Sequence, residues 1–178
     1  MDTFIECMIS KKKTAKNRLK ILGVIILAIA LCIVVGFLIT ITPKLMFLLW
    51  IFVVAIIWYG VYIVISRQNV EHEYSFTNGE LDIDTIYSKR RRVHVLSVKV
   101  REFTICAPAY NERFKEQYLD VSDMKKYYYM AANMHNQKLY FADFLQNGDR
   151  VRLYFEPTDK LIEAIKFFNP RNVFLLDE

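Results

Sequence analysis

The 178-residue chain carries a net charge of +5, is 54% hydrophobic and has a mean hydropathy of +0.17. Ordinary globular proteins are about 45–50% apolar, and the surplus has one location: residues 21–65 hold 38 apolar positions out of 45. The charge is equally local, with six basic against two acidic residues in 1–20 and 17 against 17 in 67–178. These patterns exclude a disordered chain and a multi-domain enzyme, and the balanced soluble part excludes nucleic-acid binding of the kind that relies on a basic domain face.

In chain order, residues 1–20 read as a basic juxtamembrane segment. The spacing of Phe4, Ile5, Met8 and Ile9 predicts a short helix lying in the membrane interface. Lys11, Lys12, Lys13, Lys16, Arg18 and Lys20 follow. They read as an anionic-lipid site or as a topology signal, and the two roles are compatible.

Residues 21–42 and 45–65 are two uncharged runs separated by Pro43 and Lys44. At about 1.5 Å per residue each can cross the roughly 30 Å hydrocarbon core. A proline and a lysine between them predict a tight turn, hence a two-helix transmembrane hairpin over 21–65. Basic residues precede the first run and follow the second, so the positive-inside rule predicts a two-pass cell-membrane protein with both termini cytoplasmic. The first run exceeds a signal-peptide core and lacks a small-x-small cleavage site, so it is expected to stay. Neither run contains Asp, Glu, Lys, Arg, His, Asn or Gln, which argues against a channel or transporter formed by this chain alone. Trp50, Trp58, Tyr59 and Tyr62 read as interface anchors or packing aromatics. Small residues such as Gly36 permit close helix contact.

Residues 66–178 form the soluble domain. From residue 69 the periodicity switches to two: Val70, His72, Tyr74 and Phe76 alternate with Glu71, Glu73, Ser75 and Thr77. Asn78-Gly79 then signals a hairpin, because both residues tolerate positive φ. Strands are expected over 70–77, 80–87, 93–96, 98–106, 126–132, 139–145 and 150–155, with a second Asn-Gly hairpin at 147–148. Residues 110–124 read only as a loop with a helical turn. Thr158 as cap and Asp159 in the first turn open a helix with Leu161, Ile162, Ile165 and Phe168 on one stripe, stopped by Asn169-Pro170. About seven antiparallel strands and one C-terminal amphipathic helix give a mainly-β domain of the pleckstrin-homology (PH) plan.

Two apolar runs leading into the hairpin around Tyr74, Asn78, Gly79 and Ile83, and Tyr154-Phe155-Glu156-Pro157 before the last helix, carry a resemblance. The chain resembles two-pass bacterial membrane proteins with a cytoplasmic PH-like domain, found mainly among Firmicutes. The resemblance implies fold and topology; it brings no catalytic residues. One departure matters. Eukaryotic PH domains bind phosphoinositides through a basic first hairpin loop, and Asn78-Gly79 carries no charge.

The sharpest chemical feature is the run Lys89, Arg90, Arg91 and Arg92. The first strand of the hairpin climbs away from the apolar runs and the second descends, so this basic turn is expected to return towards the bilayer and meet anionic headgroups or an acidic partner. Glu80, Asp82 and Asp84 alternate as on a half-exposed strand. His72, His94 and His135 are scattered and predict no metal site, and Cys7, Cys32 and Cys106 lack disulfide, zinc or nucleophile spacing. No cofactor or catalytic motif is found. Tyr127, Tyr128, Tyr129, Tyr140, Phe141, Phe144, Tyr154 and Phe155 are expected to form cross-strand pairs, half of them in the core. The reading is a non-enzymatic, membrane-anchored interaction module that binds a protein partner, an anionic lipid surface or copies of itself. The alternatives are an accessory subunit acting through its transmembrane helices and, below it, a membrane-proximal enzyme.

Overall fold

A computed structural model describes residues 3–11, 15–40, 46–66 and 68–176, with side chains also undescribed at 16, 38–40 and 46–49. The chain divides into two compact units: Met1–Lys12 with Val70–Glu178, and Lys13–Asn69.

The second unit consists of helices α1 (Ala15–Thr40) and α2 (Met46–Ser66). Both are apolar around most of their circumference, the pattern of a helix that keeps no face for water. They pack on each other, with the Trp50 indole beside Gly36, where an added Cβ would make an ordinary contact at 3.9 Å from Nε1. Among the described residues one helix, Asn17–Phe37, is long and apolar enough to cross a membrane, and Trp50–Ser66 is a shorter apolar helix. The expected turn at Pro43 and Lys44 lies outside the described residues.

The first unit is a mainly-β domain of two four-stranded sheets. One contains β1 (Phe4–Ser10), β2 (Val70–Thr77), β3 (Glu80–Tyr87) and β4 (Arg91–Lys99) in that order. The other runs β5 (Phe103–Pro108), β7 (Tyr140–Gln146), β8 (Asp149–Phe155) and β6 (Met124–Tyr129). Both Asn-Gly hairpins form as expected: Asn78 and Gly79 have φ of 49° and 91°, Asn147 and Gly148 of 54° and 88°. Two consecutive positive φ values match the right-handed twist of the strands they join. Gly79 is required twice over, since a Cβ there would sit 2.8 Å from the Phe168 ring.

Four expectations are corrected. The Phe4–Ile9 stretch is not an interfacial helix. It is strand β1, antiparallel to β2, with Ile5, Cys7 and Ile9 facing the core and Phe4, Glu6, Met8 and Ser10 exposed. Hydrophobics at 4, 5, 8 and 9 fit either period, and pairing with β2 decides for period two. There are therefore eight described strands, and they are not all antiparallel: β6 runs parallel to β8. The expected strand over 98–106 is broken by a 3₁₀ turn at Val100–Glu102, where the chain passes from one sheet to the other. Arg91 and Arg92 lie in β4, not in the turn.

The main core lies between the sheets. Tyr74, Phe76, Leu81, Ile83, Leu153 and Phe155 are fully buried there, and helix α4 (Asp159–Phe168) closes it with Leu161, Ile162 and Ile165. Thr158 caps α4 by accepting from the Leu161 N–H. Asn169 ends it and donates from Nδ2 to the carbonyls of Val100 and Phe103 (2.9 and 3.1 Å). The following residues run along β5, where Cys106 N–H donates to Asn172 and Phe174 N–H to Cys106.

Residues 109–119 form a further layer over the outer face of the second sheet. A 3₁₀ turn (Glu112–Phe114) leads into the short helix α3 (Lys115–Leu119). Phe114 from this layer is buried in a cluster with Leu139, Phe141 and Tyr154, joined by Phe174. The segment is held by Arg152, whose side chain is fully buried. Arg152 grips Asp143 through two bonds (2.6 and 2.8 Å) and donates to the carbonyls of Gln117, Tyr118 and Asp120. It thus supplies the donors that the last turn of α3 lacks. Burial opposes the guanidinium charge, but the hydrogen bonds and charge of Asp143 outweigh it and hold the pKa above the ordinary arginine value.

Breaking a buried ion pair strands its partner, at a cost of about 3–5 kcal/mol. Arg152→Ala is therefore expected to lower stability by about that much and to release residues 109–119. Arg152→Met combined with Asp143→Leu is expected to recover the part due to the stranded carboxylate, while residues 109–119 stay released because the carbonyls of Gln117, Tyr118 and Asp120 still lack their donors. Urea unfolding of the purified protein and the rate of proteolysis at 110–124 measure both effects.

Candidate functional site

The register of the first sheet decides where its basic residues lie. The two-residue hairpin at Asn78-Gly79 pairs Val70 with Tyr87, and Tyr87 in turn pairs with Arg91. At the same end Lys11 N–H donates to the Val70 carbonyl (2.9 Å). One end of the sheet therefore carries the exit of β1, the entry of β2 and the turn of residues 88–90. Ser88 and Lys89 both adopt positive φ, 55° and 57°, which presents the lysine at the tip. Lys11, Lys89, Arg90 and Arg91 are exposed, and the last three make no ion pair among the described residues. Tyr87, 42% exposed, adds an aromatic ring at this end.

Arg92 is different. It donates to Glu73 Oε2 at 2.6 Å and lies 3.9 Å from Asp84. Glu73 is almost fully buried. Burial raises its pKa, Arg92 pulls it back, and Glu6 and Asp84 add to the rise. Arg92 thus neutralises the centre of an acidic sheet face. Of the other basic residues, Arg18 and Lys20 are exposed on α1 in the helical unit, and Lys16 is in α1 with its side chain undescribed. Lys12 and Lys13 lie outside the described residues.

The outer face of the sheet brings together residues that the sequence left apart. Asp84 Oδ1 meets His94 Nδ1 at 2.8 Å, His94 Nε2 meets Ser97 Oγ at 3.2 Å, and the Ser97 hydroxyl donates to Asp82. An Asp–His–Ser series can activate a hydroxyl only if the hydroxyl proton is directed to the imidazole. Here the proton goes to Asp82, and His94 and Ser97 lie open to solvent. The arrangement is a cross-strand polar ladder. The Glu73–Asp84 pairing was recoverable from the Asn-Gly turn, because a two-residue loop fixes the register of β2 and β3. The β3–β4 pairing was not, because a bulge between Ile83 and Asp84 shifts it by one residue.

His72 faces inward from β2 and is buried, with Nδ1 3.2 Å from Thr85 Oγ1. Burial, and then the charge of Lys11, lower its pKa to about 4. Cys106 is completely buried, which pushes its thiol far above the ordinary range and rules it out as a ready nucleophile. No group of three or more His, Cys, Asp or Glu able to hold a metal occurs among the described residues. An expected cross-strand pair forms, with Tyr129 stacked on Tyr154 at 5.3 Å; Tyr129 also stacks on Tyr127 of its own strand at 6.1 Å, while Tyr128 is buried. At the opposite end of the first sheet, Lys99 and Arg101 flank Asn78-Gly79 around an open cavity of about 410 Å³.

A neutral imidazole in the fold and an unfolded pKa near 6.5 make the unfolded state the better proton acceptor between pH 6.5 and about 4. Stability from this group is full above pH 6.5 and falls as the pH drops towards 4, by on the order of 2–3 kcal/mol. His72→Gln is expected to flatten that part of the profile, read as melting temperature against pH from 7.5 to 4.5.

Residues 1–175 match a family model described as Bacterial PH-like domain (DUF6106). No curated protein and no solved structure matches the chain.

Proposed function

The chain belongs to the bacterial PH-like domain family, and from that premise we propose that it is a two-pass membrane protein whose PH-like domain rests its basic end on the anionic cytoplasmic leaflet. The observation that carries the reading is the bond from Lys11 N–H to the Val70 carbonyl. Residues hydrogen-bonded in one sheet lie on the same side of any membrane. The chain between them must then cross an even number of times. A single crossing by Asn17–Phe37 therefore requires a second by α2, where the apolar residues 45–49 of the sequence extend Trp50–Ser66 to the length of a span. The six basic residues before the first apolar run and Arg67 after the second, against Lys44 alone between them, support the cytoplasmic side for the domain.

The same end of the sheet offers Lys11, Lys89, Arg90 and Arg91 without carboxylate partners among the described residues, plus Tyr87, a side chain suited to the headgroup region. Each cation near an anionic surface contributes about 1 kcal/mol, screened by salt. Anchoring supplies a high effective concentration, so modest contacts suffice to orient the domain. The role is non-enzymatic: it presents the remaining faces of the domain at a fixed orientation to what binds there.

Two measurements test this. In the full-length protein, a cysteine at Lys44 is expected to react with a membrane-impermeant maleimide from outside intact cells, while cysteines at Glu80 and Glu163 react only after lysis. Labelling of all three from one side overturns the two-pass reading. Second, a chain with residues 13–69 replaced by a short Gly-Ser linker, as the adjacency of Lys11 and Val70 permits, is expected to sediment with phosphatidylglycerol vesicles at low salt. Replacing Lys89, Arg90 and Arg91 together by serine is expected to weaken that binding at least tenfold, and Arg92→Ser to lower stability with a smaller effect on binding. Equal binding by the triple variant overturns the lipid assignment.

A further inference from the structure

The first sheet is assembled from two separate pieces of chain. Strands β2, β3 and β4 follow one another through short turns, whereas β1 arrives from the far side of the helical segment. β1 is an edge strand with a single neighbour, β2. Its inward side chains Ile5, Cys7 and Ile9 are only partly buried, while Tyr74 and Phe76 opposite them on β2 are completely buried. Its outward Phe4 and Met8 are 64% and 57% exposed. The strand contributes hydrogen bonds and a partial cover to a sheet whose fully buried side chains come from elsewhere.

We propose that the β2 edge is a strand-exchange site, filled within one chain by its own β1 and between chains by the β1 of a second copy. The argument rests on the occupant already seated there. A second copy's β1 has the same sequence, meets β2 in the same register from Phe4–Thr77 to Ser10–Glu71, and reproduces the end bonds at Lys11–Val70 and Thr3–Asn78. Exchange therefore needs no surface beyond the one described, which makes it a low-cost route to a dimer. Two copies anchored in one membrane also share the orientation that this register demands, and their effective concentration is high. An edge strand is hydrogen-bonded on one side only, and unlike β4 this one is not continued by a short turn into its neighbour in the sheet. The inference goes beyond lipid contact and does not depend on it.

The register supplies the test. Lys11–Val70 and Thr3–Asn78 are hydrogen-bonded pairs, so Glu6 and Ser75, on the outer face, form a non-hydrogen-bonded pair with Cα atoms about 4.5 Å apart, within disulfide range. Full-length protein is expressed with Cys7 and Cys32 replaced by alanine and the buried Cys106 retained. One differently tagged copy carries Glu6→Cys and the other Ser75→Cys, and membranes are treated with a mild oxidant. The expected result is a disulfide-linked species bearing both tags, at least tenfold above a control in which Glu163→Cys replaces Ser75→Cys. A single chain carrying both Glu6→Cys and Ser75→Cys is expected to close an internal bond. If the internal bond forms but the two-tag species stays at the control level, β1 does not exchange and the proposal fails. If neither bond forms, β1 does not occupy this edge and the proposal fails as well.

Discussion

The pairing of β1 with β2 is the constraint from which the organisation of the molecule follows. It joins residues that are separated in sequence by two apolar helices and makes the N-terminal segment part of the β domain. The bond between Lys11 and Val70 sets side by side the two β-domain residues that flank the helical segment in sequence. That adjacency is local geometry, yet it limits global topology, since the ends of a segment that start and finish in one sheet cannot lie on opposite sides of a membrane. It also gathers charge. The end of the sheet where β1 leaves and β2 enters is the end to which the β3–β4 turn descends, so Lys11 and the cations at 89–91 come together without any contact between them being needed.

The basic run is one motif in sequence but two in structure. Lys89, Arg90 and Arg91 project from a turn and the first position of a strand, while Arg92 turns onto the sheet face and meets Glu73. A buried carboxylate needs a cation beside it or a proton on it, and the rising pKa of Glu73 records that competition. Strand alternation separates the last two: Arg91 and Arg92 are neighbours on β4 and face opposite sides of the sheet, so the run cannot act as one unit.

The second sheet is organised by a different interaction. Arg152 lies on the outer face of β8, where an unpartnered guanidinium would be costly to bury. Asp143 from the adjacent strand neutralises it, and the carbonyls at the end of α3 take its remaining donors. The same side chain therefore satisfies a charge, caps a helix too short to be stable alone, and lies over the Phe141 ring, which Tyr118 meets edge-on. Residues 110–124 have mixed composition and no clear periodicity, which is why only a helical turn without bounds was legible there. Their conformation depends on a residue some thirty positions downstream.

What the sequence by itself determined were features written in local chemistry. The two Asn-Gly hairpins, strands β2 and β3 to the residue, the Thr158 cap, the Asn169 stop and the inward face of His72 follow from φ preferences, alternation and capping, each set within a few neighbouring residues. The tertiary structure alone decided the strand at residues 4–10, the parallel pairing of β6 with β8, the bulge that aligns Asp84 with His94, and the tie between Arg92 and Glu73. Each of these depends on which distant segment supplies hydrogen-bond partners or countercharge. Short apolar stretches and runs of like charge satisfy several local patterns equally well, and only the partner across the sheet selects among them.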